Sequence, residues 1–154
     1  MLQIVAPALR ELHLYWVTKR GLRIAPSRAE MRPEEIAPLL PYVYIVDIID
    51  RPRRFRFRLV GTRIVEGYGE DVTGRFLDEV DLGDKGSAIQ AEYEKTANEQ
   101  APTAGSWNFS KKDGRELDYE HLVLPLSSDG RTIDMLFGGA SIKGFGPLPS
   151  LPSA

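Results

Sequence analysis

Apolar and polar positions change rhythm several times along this chain. From Ala8 to Arg20, Leu9, Leu12 and Trp16 recur at helical spacing, Arg10, Glu11 and Lys19 fall off that stripe, and Gly21 follows. This is the pattern of an amphipathic helix with a glycine stop. In "RPEEIAPLL" Pro33 suits a first helical position, Glu34 and Glu35 suit a positive helix start, and Pro38 and Pro41 keep the turn short. The run "YVYIVDII", Tyr42 to Ile49, is apolar on both faces except at Asp47, which predicts a strand covered on both sides. Phe55, Phe57 and Leu59 then alternate with Arg54, Arg56 and Arg58, a strand with one inward face.

Between Thr62 and Leu82 the pattern predicts short helical pieces broken by Gly67, Gly69 and Gly74, then a longer helix from Lys85 to Glu99 with a thin stripe at Ile89, Tyr93 and Ala97. Three strands close the chain, Thr103 to Ser110, Glu116 to Leu126 and Ile133 to Ser141. Their hairpins run through "KKDGRE" and "SSDGRT", where Asp113-Gly114 and Asp129-Gly130 supply the positive-φ residues of tight turns. Two strands, inserted helices and a three-strand meander make an α+β fold, an antiparallel sheet with helices mainly on one face. The last strand is apolar at both parities, so strands one and five belong at the centre and the arginine-rich second strand at an edge. The ending "GPLPSLPSA" predicts a flexible Pro/Ser-rich tail over 144–154, after an N-terminal helix and linker over 1–25 and a domain over 26–143.

Composition narrows the chemistry. A chain of 154 residues is long enough to bury one core, and a net charge of -2 gives no general attraction to nucleic acid or anionic membrane. With no cysteine there are no disulfides, thiolate metal sites, cysteine nucleophiles or cysteinyl-flavin adducts. The N-terminus lacks a signal-peptide pattern, and no run approaches the roughly 18 apolar residues of a membrane span. A cytoplasmic protein is the expectation.

Few residues suggest a site. "GYGEDVTG" has the wrong spacing for a phosphate loop and no following lysine; its glycines suit sharp turns of short helices against a sheet. The arginines of strand two read as a solvated edge that resists edge-to-edge pairing, and Glu116, Asp118 and Glu120 as a wet face. The opposite parity, Leu117, Tyr119, His121 and Val123, sets a phenol and an imidazole on an apolar face. They would orient a small ligand in a mostly apolar pocket, or His121 would bond a backbone carbonyl in the core. Tyr93 and Trp107 are candidates for the same wall, or for plain core. Asp47 is a buried carboxylate that needs a partner or a raised pKa. Two histidines far apart in sequence, no H-E-x-x-H and no Ser-His-Asp arrangement leave no catalytic or metal site to predict.

Four pieces carry a family resemblance: Tyr15 and Trp16 with Arg20; Pro26, Ser27 and Arg28 with Pro33; "RFRLVGT" from Arg56 to Thr62; and "YGEDVTG" from Tyr68 to Gly74. With these the chain resembles a bacterial family of PAS-like domains, mostly standalone, found in alphaproteobacteria. The resemblance implies a five-stranded antiparallel sheet with strands one and five adjacent at its centre, helices forming one wall of a central cavity, and a sensory or regulatory role with an unassigned ligand. The haem attachment of some PAS sensors lacks its usual histidine on the Lys85–Glu99 helix. The resulting expectation is a sensory module that binds a small molecule near Tyr93, Trp107, Tyr119 and His121 and signals through a partner chain. The alternative is an interaction module with a packed, ligand-free core. Leu9, Leu12 and Trp16 are expected to form a homodimer interface, as this helix often does in PAS-like domains, or else to cover the sheet in their own chain.

Overall fold

The structure is a computed structural model, and it describes residues 2–152. The chain runs α1 (Pro7–Arg20), β1 (Val43–Ile49), β2 (Arg54–Val60), α2 (Thr62–Tyr68), α3 (Gly86–Glu99), β3 (Thr103–Ser110), β4 (Glu116–Leu126) and β5 (Met135–Ile142), with single 3-10 turns between. All strand pairs are antiparallel, in the order β2-β1-β5-β4-β3. The two strands that are apolar at both parities are neighbours inside the sheet, and the arginine-rich strand is an edge, as the pattern requires. Gly114 and Gly130 take positive φ at the two hairpins.

The inner face carries Tyr44, Val46, Phe55, Phe57, Tyr119, His121 and Ala140, and faces α2, α3 and the chain between them. The outer face carries Val43, Ile45, Leu122, Leu124 and Phe137, all buried. α1 lies on this face against β4 and β5. Gly139 makes that approach fit: a Cβ there would stand 3.0 Å from methyls of both Leu9 and Leu12. The Trp16 indole donates a 2.8 Å hydrogen bond to the Pro125 carbonyl, and Arg20 lies over its ring. At the helix start, Glu120 accepts from the backbone N–H groups of Val5 and Ala6 at 2.6 and 2.8 Å, placing a carboxylate at the positive end of α1. Glu120 therefore anchors a helix instead of standing on a wet face.

This arrangement corrects the expected dimer interface. Leu9, Leu12 and Trp16 are 1%, 0% and 1% exposed within the single chain. They are spent on their own sheet, because bare apolar outer faces of β4 and β5 lie directly beneath them. Each such burial is worth roughly 1.5–3 kcal/mol. The tail also departs from expectation. Phe145 packs beneath Arg63 and against α2 at Gly67, Leu148 and Leu151 pack on the core, and the Leu151 N–H donates to Glu11 at 2.8 Å. Ser153 and Ala154 lie outside the described residues. α1 and the tail thus belong to one core with the strands.

Trp16→Ala should lower the unfolding free energy by about 3–5 kcal/mol, read by chemical denaturation. A Trp16→Ala protein as stable as the wild type would contradict the seating of α1 on the sheet.

Candidate functional site

The inner face borders a small apolar cavity that opens at one margin, beside Glu70. Its sheet wall comes from β1, β2, β3, β4 and β5, with Tyr44, Phe57, Phe109, Leu117, Tyr119 and Ala140. Its other wall is the helical stretch, with Ile64 and Tyr68 on α2, Val72 and Leu77 between helices, and Ile89 and Tyr93 on α3. Glycines let this wall turn tightly. Gly61 starts α2 where a Cβ would lie 2.3 Å from the Pro41 carbonyl oxygen, and Gly69 ends it at φ +97.

The cavity volume is about 80 Å³. That is room for a few waters at about 30 Å³ each, and well below the roughly 300 Å³ at which ligand pockets usually begin. A flavin or a haem does not fit. The donor set adds to this for covalent chemistry, since with no cysteine no flavin adduct can form, and α3 carries no histidine to ligate a haem.

The buried polar groups here are phenols; the charged lining residue, Glu70, stands exposed at the margin. Burial pushes the Tyr44, Tyr93 and Tyr119 hydroxyls well above the ordinary tyrosine range, and the nearby Glu92 carboxylate adds to the rise. Tyr68, also pushed up mainly by burial, to about 12, donates to the Asp81 carbonyl at 2.7 Å. All four remain neutral at ordinary pH, so the cavity presents O–H groups that can donate or accept and no fixed charge on a phenol.

Of the four residues expected here, Tyr93 and Tyr119 line the cavity. His121 and Trp107 do not. They stack beside it, ring centroids 5.5 Å apart and planes 5° apart, under α3. His121 Nε2 is 2.6 Å from a Glu92 oxygen, yet off the direction of a good hydrogen bond, and Nδ1 has no partner. The contact brings α3 and β4 together at this point without a hydrogen bond; the expected backbone carbonyl partner is absent among the described residues. The helical wall stands where the resemblance implied it, but sequence reading missed Tyr44 and, apart from Tyr93, did not name the residues of that wall. One signal was present: Gly138 lies under the Tyr44 ring, where a Cβ would come 2.0 Å from the ring, and a glycine inside a strand marks such a close approach.

The remaining candidates are structural. Asp47 accepts from Arg58 at 2.8 Å and lies 3.5 Å from Arg56, so the buried carboxylate has the partner it needs. Arg54 pairs with Asp78, which leaves little of the arginine stripe free. Among the described residues no group of three or more His, Asp or Glu side chains is placed to hold a metal, and no helix is long and apolar enough to cross a membrane.

A family model described as a PAS domain matches residues 4–141. Among solved structures, a LOV protein from Rhodobacter sphaeroides is similar at 12% identity and TM-score 0.55, over 71% of this chain and 66% of that one. The PAS domain of a protein from Colwellia psychrerythraea is similar at 14% identity and TM-score 0.53, over 74% of this chain and 95% of that one. The chain spans just under two thirds of the length of the Rhodobacter protein. At these identities the likeness is one of fold. The search of curated proteins returned no match.

The phenols make stability fall at high pH. Their folded pKa values lie above the unfolded value of about 10, so the contribution is fully present below pH 10 and is lost as pH rises through the folded values. Each fully buried phenol should remove about 1.4 kcal/mol per pH unit in that window. Absorbance of tyrosinate checks this: Tyr44, Tyr68, Tyr93 and Tyr119 should ionise only as the protein unfolds, and ionisation near pH 10 in the native state would contradict it.

Proposed function

The chain belongs to the PAS domain family, and from that premise we propose that it is a cytoplasmic sensory or regulatory module whose signal is a small neutral molecule held among Tyr44, Tyr93 and Tyr119. The observation that carries this reading is the apolar cavity, open only at its margin, with neutral phenols in its wall. An apolar body satisfies the wall, and one hydroxyl or carbonyl group satisfies the phenols. A charged ligand would be desolvated there without a counter-charge on the phenols. Cysteinyl-flavin chemistry has no cysteine to use, whatever the LOV neighbour does with light.

Occupancy would be read through α3. Ile89 and Tyr93 line the cavity from one face of this helix, and Glu92 on the same helix holds His121 of β4. A ligand that moves α3 therefore strains the Glu92–His121 contact and the β3–β4 end of the sheet. The output passes to a partner chain. Turnover forms no part of this reading, since neutral phenols supply neither a nucleophile nor a base at ordinary pH.

Mass spectrometry of the freshly purified protein under native conditions tests the proposal. A bound small molecule is expected, together with a rise in thermal midpoint on adding 2-propanol, which is small enough for this cavity, as a probe. Ala140→Leu fills the cavity from the sheet side and should abolish both effects while keeping the fold. An empty wild-type protein with no response to the probe would favour the ligand-free interaction module instead.

A further inference from the structure

We propose that two copies of this chain associate through the open edge of β3, antiparallel about a twofold axis, so that the two sheets continue as one. The contrast between the two sheet edges carries the inference. Edge strands expose unpaired N–H and C=O groups, and proteins guard them with charge, proline, bulges or a covering segment.

β2 is guarded in three ways. It carries Arg54, Arg56 and Arg58. Its register with β1 slips by one residue at Arg58, between the Ile45–Leu59 and Val46–Phe57 pairs. Its free side is taken by residues 74–76, through Gly74 N–H to the Phe57 carbonyl at 2.7 Å and Phe57 N–H to the Arg75 carbonyl at 2.9 Å.

β3 has none of these guards over most of its length. "TAGSWNFS" contains no charge and no proline. It pairs with β4 through eight residues in one unbroken register. Only its far end is closed, where Gly83 packs against the Ser110 carbonyl. From Thr103 to Ser106 the edge lies beside a groove bordered by Lys95 and Glu99 of α3 and by Leu2, Gln3 and Val5 of the N-terminal segment, and among the described residues no backbone group from Thr103 to Asn108 is bonded outside the β3–β4 pair.

A second copy suits this edge better than a strongly charged strand would. The strand is neutral, so a twofold axis brings no like charges together along it. The α3 rim carries both signs, Lys95 beside Glu99, both exposed, so an antiparallel copy can set cation against carboxylate. Val5, 79% exposed, adds apolar surface at the flank of the same edge. This interface is independent of the cavity and of Leu9, Leu12 and Trp16.

Sedimentation of the intact chain across a micromolar concentration series is the test, with amide exchange of the wild type as a mutation-free second measurement. The wild type should dimerise, and β3 amides should become more protected as concentration rises. Ser106→Lys with Asn108→Lys, both at exposed positions, should weaken the dimer about tenfold or more with an unchanged circular dichroism spectrum. A monomeric wild type would overturn the proposal. So would a dimer indifferent to the two lysines, a dimer lost only on Leu14→Asp, or β3 protection that ignores concentration.

Discussion

Two adjacent strands that are apolar on both faces have to be covered twice, and most of this molecule follows from that. β1 buries Val43, Tyr44, Ile45 and Val46 in succession, and β5 buries Leu136, Phe137 and Ala140. Water on either side would expose several large side chains at roughly 1.5–3 kcal/mol each. α1 covers the outer face, and the chain from Thr62 to Glu99 covers the inner one. Consecutive glycines on β5 serve the two sides: Gly139 admits Leu9 and Leu12 from outside, and Gly138 accepts the Tyr44 ring from inside.

The two covers are built differently, and the difference creates the site. α1 is one continuous helix whose stripe seats directly on the sheet, with Trp16 and Glu120 fixing its ends. The inner cover is a series of short pieces that turn at glycines, and it bridges the sheet without filling every gap. The residual space is bordered by phenols that desolvation keeps neutral. Charge is kept to the margin, where Glu92 meets His121 under α3 and Lys111 donates to the Tyr68 carbonyl at the end of α2.

The edges follow from the same sheet. β2 has its arginines tied to Asp47 and Asp78, so its charge both guards the edge and stabilises the neighbouring loop. β3 is neutral and regular. The molecule is therefore asymmetric in what its two edges can accept.

Strand order, the two hairpins and the central place of β1 and β5 were legible because they depend on local periodicity, on Asp-Gly turns and on two-sided apolar runs. The inward phenol Tyr119 was legible because strand parity assigns a face, and Tyr93 because it falls on the apolar stripe of α3. Parity does not assign a depth along that face. His121 shares its parity with Tyr119 yet lies outside the cavity, because Glu92 and Trp107 close over it. The helix stripe Leu9, Leu12 and Trp16 announced that it must be buried, but a stripe is equally satisfied by its own sheet or by another copy. The bare outer faces of β4 and β5 decided for the first. Local pattern thus determined which surfaces must leave water. Only the tertiary structure decided which surface each one met, because burial energy depends on area and not on the identity of the partner.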